Sequence, residues 1–202
     1  MSEKEKRTLG IACVLIVLAA LLPIVDQGYW LSIGVSIAMY TVLATSWALF
    51  SGPTNLISLA SAAFFGVGMY VVAGGIDLMP YWILVLLAGL AGAILAALVG
   101  IATLRIAGVY FVIFTLGMAE LVRQIVVWGQ ATLGTQAGLY VLTDFTEELI
   151  FWLLLGLAAI VFFIGWWVGR SRLGFALRII GNDEMVAIHS GINTARAKVM
   201  LF

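Results

Sequence analysis

The chain has 202 residues, of which 64% are hydrophobic and 10% charged, and its mean hydropathy is +1.17. Soluble domains carry roughly 25% charged residues, so this composition belongs in a bilayer, and a net charge of zero removes any argument for nucleic-acid binding. One cysteine (Cys13) and one histidine (His189) exclude an internal disulfide and a Cys/His metal cluster, and no G-x-x-x-x-G-K-S/T pattern is present to bind ATP.

The N-terminal stretch "MSEKEKRTLGIACVLIVLAALLPIV" has the basic start and apolar core of a signal peptide. No small-x-small cleavage site follows Pro23, so it reads as a retained first span. A helix needs about 20 apolar residues to cross the hydrocarbon core. Six runs meet that need: Leu9–Val25, Tyr29–Phe50, Leu56–Ala73, Tyr81–Leu104, Val109–Trp128 and Leu149–Val168. They are too long and too uniformly apolar for barrel strands, and helices alone satisfy their own backbone in lipid. The expected fold is therefore all-α, a polytopic membrane protein with about six transmembrane helices.

Between the second and third runs lies "SGPTNLISLAS", where Gly52 and Pro53 are expected to break the helix. Ser51, Thr54, Asn55, Ser58 and Ser61 offer hydrogen-bonding groups, and no charge holds the stretch at a surface. Two readings fit. One is irregular backbone lining a cavity at depth, where transporters contact their solutes; the other is a tight polar turn at the surface. In the fourth run Ala88, Gly92, Ala96 and Gly100 form a small-residue ridge that admits close helix approach, within the chain or from another subunit.

The fifth run holds Glu120 and Arg123, ionisable groups that are costly in a membrane. Their i, i+3 spacing puts them on one helix face, where each neutralises the other. Either they line a solute path or they form a structural pair beside it, and Thr115, near one turn earlier, belongs to the same candidate face.

After the sixth run comes "GRSRLGFALRIIGNDEMVAIHSGINTARAK". Leu173, Ala176, Leu177 and Ile180 recur at helical spacing, while Arg172 and Arg178 point elsewhere. Gly181 suits the end of that helix and Asn182 the cap of the next, with Asp183 and Glu184 in its first turn. Ser190 and Gly191 stop the second helix, and Asn193 or Thr194 can cap a further one. The apolar stripe of this helix-turn-helix must bury against the span ends or against a soluble partner.

Charge sets the orientation. Lys4, Lys6, Arg7, Arg105, Arg170, Arg172 and Arg178 share one side of a six-span chain, whereas Asp26, Asp77, Asp144, Glu147 and Glu148 fall on the other. The positive-inside rule places the N-terminus and the residue 169–198 segment in the cytoplasm.

Three blocks carry a resemblance: "SLASAAFFGVGMY" (Ser58–Tyr70), "LRIAGVYFVIFTLGMAELVRQ" (Leu104–Gln124) and "SRLGFALRIIGNDEMVAIHSGINTARAKVMLF" (Ser171–Phe202). They resemble permease subunits of branched-chain amino-acid ABC importers, and importers of urea and short-chain amides share the architecture. The resemblance implies a subunit of a bacterial inner membrane that pairs with a second homologous permease. It also implies two separate ATP-binding cassette ATPase subunits, which hold the ATP, and an extracytoplasmic solute-binding protein; the chain itself needs no cofactor.

The family's coupling element is E-A-A, three residues, then Gly. It falls here on Met185-Val186-Ala187, then Ile188-His189-Ser190, then Gly191, with the glutamate displaced to Glu184. The resemblance thus implies ATPase coupling through Arg172, Leu177, Arg178, Asp183, Glu184, Ala187 and Gly191, and a substrate pathway among Asn55, Ser58, Ser61, Thr115, Glu120 and Arg123. The expected organisation is a transmembrane helical domain over 1–168 and a cytoplasmic coupling segment over 169–195. Residues 196–202 then open a further, incomplete span, because members usually continue for two or more. A secondary carrier would need inverted repeats and embedded coupling groups, and an intramembrane enzyme a nucleophile–base pair or metal set; neither pattern is evident in the sequence.

Overall fold

Backbone N–H and C=O groups in an apolar medium must be satisfied within their own segment, and this chain does so with helices. The computed structural model describes residues 3–25, 28–103, 106, 108–133 and 145–201, and all regular structure among them is helical. Of the charges that set the orientation, Asp26, Arg105 and Asp144 lie outside the described residues, as do the side chains of Lys4, Lys6 and Arg7. The helices are α1 (Glu3–Ala20), α2 (Leu22–Val25), α3 (Tyr29–Thr54), α4 (Ser61–Gly75), α5 (Tyr81–Thr103), α6 (Val109–Leu133), α7 (Glu147–Arg170), α8 (Arg172–Asn182), α9 (Glu184–His189) and α10 (Thr194–Leu201).

Four of them, α3, α5, α6 and α7, are long and apolar enough to cross a membrane. At about 1.5 Å per residue each exceeds the ~30 Å of a hydrocarbon core. Tyr29 and Trp30 open α3, and Tyr81 and Trp82 open α5, as edge-to-face pairs suited to a membrane interface. The apolar part of α1 (Gly10–Ala20) and α4 are shorter.

The chain divides into two compact units. The first comprises residues 1–46 and 143–168. Its core is Leu31 and Ala38 of α3 with Phe151 of α7, and Leu22 packs against them. Gly34 matters here: a Cβ would come within 3.2 Å of the Phe151 ring and collide with Leu22. Ser32 Oγ donates to Glu147 Oε2 at 2.7 Å, and Thr146 Oγ1 accepts from Leu149 N–H at the start of α7. The first apolar run is two helices rather than one. Pro23 can offer no N–H to the preceding turn, and the chain turns at Leu21, whose N–H reaches Leu18 O at 3.2 Å.

The second unit comprises residues 47–142 and 169–202. Here α4 packs against α5 and α6, and α10 lies against α8, α9 and α5. Gly100 of the small-residue ridge meets α10, where a Cβ would stand 3.2 Å from Val199. At Gly89 and Gly92 nothing lies within 4 Å of such a Cβ. The ridge therefore packs against α10 at Gly100, with open space above Gly92.

Two expected boundaries move. Gly52 and Pro53 do not break α3, which continues to Thr54. The missing Pro53 N–H costs one bond near a helix end that has few to lose, and the chain leaves the helix at Asn55, whose φ is +53°. The break between α8 and α9 is at Asp183, not at Gly181 and Asn182. Gly181 is helical, and its missing side chain serves a close approach: a Cβ would run into the backbone of Pro53 and Thr54.

Candidate functional site

The third apolar run is not helical from its start. α4 has 15 residues, about 22 Å at ~1.5 Å per residue, and falls short of a ~30 Å core. Asn55–Leu59 precede it outside any helix or strand, with Asn55 at φ +53°, and lengthen the run. Such backbone needs partners from elsewhere, and the polar residues of the region provide them. Leu59 N–H donates to Thr115 Oγ1 of α6 at 3.1 Å, and Ser58 O accepts from Trp47 Nε1 at 2.8 Å. Ser58 Oγ accepts from Ala60 N–H at 3.4 Å.

Thr115 is fully buried, and its hydroxyl also donates to Val112 O at 3.0 Å. Asn55 bonds a different element. Its Nδ2 donates to Gly181 O of α8 at 3.0 Å, joining two candidate regions that are far apart in sequence. Asn55, Ser58 and Thr115 thus hold backbone in place, while Ser61 begins α4 and is half-buried.

Beyond this junction, α4 and α6 flank an open groove of about 360 Å³, lined by Ala62, Ala63, Gly66 and Tyr70 on one side and Leu116, Ala119, Glu120 and Arg123 on the other. Glu120 is the twelfth and Arg123 the fifteenth of the 25 residues of α6, so the pair sits midway along it. Arg123 donates through Nε at 2.9 Å and Nη2 at 2.6 Å to the two oxygens of Glu120. Gln124 Nε2 adds a bond of 2.8 Å to the same carboxylate. The fork satisfies much of the charge locally, yet the side chains remain 52% and 64% exposed. Farther along, Gln130 Nε2 donates to Tyr70 OH at 2.9 Å and ties α6 to α4.

The C-terminal helices form a second structured region, dense in caps. Ser171 Oγ accepts from Gly174 N–H to start α8. Asp183 Oδ1 accepts from Met185 N–H at 2.8 Å and Val186 N–H at 3.3 Å to start α9. α9 ends in paired bonds, Ile192 N–H to Ala187 O and Gly191 N–H to Ile188 O, with Gly191 at φ +77°. That is a Schellman closure, in which only glycine is unstrained. Asn193 Oδ1 accepts from Arg196 N–H to start α10. Lys198, 8% exposed at its side chain, binds Glu184 at 2.6 Å and holds α10 to α9.

Several coupling residues expected from sequence therefore work inside this region. Leu177 and Ala187 are completely buried. Arg178 donates to the carbonyls of Gly174 and Gly169, fixing α8 to the end of α7. Arg172 and Gly191 stay exposed. The outer surface is made by residues outside that coupling set: Phe175, Met185, Val186 and Ile188 are each more than half exposed. Their signal was present in α9, where three of six residues are large and apolar while only Ala187 is buried. Among the described residues no group of His, Cys, Asp and Glu could hold a metal ion.

Comparison with known families gives a match over most of the chain. A sequence profile described as the permease component of the branched-chain amino acid transport system covers residues 29–202. No curated protein and no solved structure matched the chain. Members of such a family are transport components, not catalysts, and they associate in the membrane with other transporter subunits. The helices described above fit that setting: several are apolar enough to span, and one carries an exposed ion pair midway along its length. This chain, a multi-pass membrane protein, belongs to the permease components of branched-chain amino-acid ABC transport systems.

Proposed function

We propose that the chain is the solute-conducting permease subunit of an ATP-driven importer for branched-chain amino acids in a bacterial inner membrane. It crosses six times with its N-terminus in the cytoplasm, α1 with α2 making the first crossing and Asn55–Gly75 the third. It pairs with a second permease and draws solute from an extracytoplasmic binding protein. Two ATPase subunits drive it through α8–α10.

The observation that carries this reading is the Glu120–Arg123 fork, exposed halfway along an otherwise apolar helix. Charge at that depth is tolerated where it meets protein or water, not lipid. The groove between α4 and α6 beside it provides such a place, and an amino acid carries both charges that the fork can exchange with. The exposed apolar face of α9, mounted on a heavily capped base, suits a short helix held by a moving partner.

The test is uptake by the complete importer in proteoliposomes. Radiolabelled leucine should accumulate with ATP, unlabelled isoleucine should compete, and excess urea or acetamide should not. Uptake of radiolabelled urea or acetamide with no leucine uptake would reassign the solute. Val186→Glu should release the ATPase subunits; their retention with normal uptake would remove α9 from the coupling surface.

A further inference from the structure

Asn55 stands where the two regions meet, and its geometry exceeds what a helix end requires. At φ +53° a non-glycine residue ends α3, a position that glycine fills without strain and asparagine tolerates. The backbone turn alone would be met by either residue. The asparagine side chain adds something glycine cannot: the Nδ2 bond to Gly181 O, 126 positions away. Gly181 lies so close to the Pro53 and Thr54 backbone that no side chain fits between them. α8 therefore rests directly on the end of α3.

From Asn55 the chain runs to Ala60 without helical bonds of its own, fastened by Trp47 at Ser58 O and by Thr115 at Leu59 N–H. It then enters Ser61, Ala62 and Ala63, and the last two form a wall of the groove. On the other wall, Thr115 directly precedes the groove residue Leu116. Both walls are thus tied to one short non-helical strap, and α8 holds the strap's outer end. We propose that Asn55 is the positioning residue through which a displacement of α8 becomes a change in the width of the groove between α4 and α6. The inference rests on the reading that α8–α10 take up the movement of the ATPases and that the groove belongs to the solute path.

Asn55→Gly keeps the backbone conformation and removes the amide; Asn55→Asp keeps the shape and removes the donor. Both are made in the complete importer in nanodiscs, in a Cys13→Ser background with spin labels at Phe65→Cys on α4 and Ile125→Cys on α6. Phe65 and Ile125 are exposed. Label-to-label distances are compared without nucleotide and after trapping with ATP and vanadate. The parent should show a distance shift, and both Asn55 variants should retain the ATPase subunits and trap nucleotide but lose the shift. A shift that persists in the variants overturns the role of Asn55. Loss of the ATPase subunits from the variants also overturns it, because Asn55 would then build the docking surface. A parent that shows no shift, though it traps nucleotide, overturns the underlying reading of the groove instead.

Discussion

At the scale of single residues, the fork on α6 and the glycine on α8 carry the most specific consequences. Glu120→Ala leaves Arg123 exposed in mid-helix without its counter-charge, and both membrane yield and uptake should fall, uptake by about tenfold or more. The double change Glu120→Leu with Arg123→Leu removes the cost of membrane charge. It should restore yield without uptake if the fork meets solute, and restore both if the pair only neutralises itself. Gly181→Ala forces a methyl against the Pro53 carbonyl, which should destabilise by about 1–3 kcal/mol in thermal unfolding of the detergent-solubilised protein. Gly156→Ala, which meets nothing within 4 Å, is the control and should be neutral or slightly stabilising. Glu120 and Arg123 were legible as a pair because helical spacing is local. The need for Gly181 was not, since the backbone it accommodates is that of Pro53 and Thr54 in α3, far away in sequence.

At the scale of elements, α9 shows how a short helix persists. Six residues nucleate poorly alone, so its existence depends on Asp183 at one end, the Gly191 closure at the other and the salt bridge to α10. Asp183→Ala should cost about 1 kcal/mol and speed amide exchange at Met185 and Val186, whereas Asp183→Asn should preserve protection. Glu184→Ala should destabilise more than Lys198→Met, each by about 1–3 kcal/mol, because the lysine is the more deeply buried charge. Unfolding of both variants measures the order, and the reverse order would mean the pair contributes through packing alone. The acids, glycine and asparagine that form these caps were visible in the sequence; the Lys198 partnership was not, because it requires α10 to fold back on α9.

For the whole molecule, topology turns on α4, the shortest of the proposed crossings made mostly of helix. If the strap and α4 together traverse the membrane, Tyr29→Cys and Leu78→Cys in a Cys13→Ser background react with an impermeant maleimide from the same, outer side. Ser190→Cys should react only from the cytoplasmic side. Labelling of Tyr29→Cys and Leu78→Cys from opposite sides would leave α4 as a non-spanning element. Pro23 and the Asn55 turn explain why two of the six apolar runs are not simple helices: each interrupts the ladder of backbone bonds.

Composition and hydrophobic run length, properties of contiguous residues, were enough to read an all-helical membrane protein and the places of its long helices, while the family was read from the resemblance of three contiguous blocks. Charge bias was enough to propose which ends face the cytoplasm. Side-chain commitments needed the tertiary structure. The sequence left Thr115, Ser58 and Asn55 open to a solute path or a structural role; their side chains bond backbone, Ser58 that of Ala60 close by, Thr115 and Asn55 that of distant segments. The physical reason is shared: polar atoms in an apolar medium bind the nearest available partner, and which partner is nearest depends on how distant segments pack.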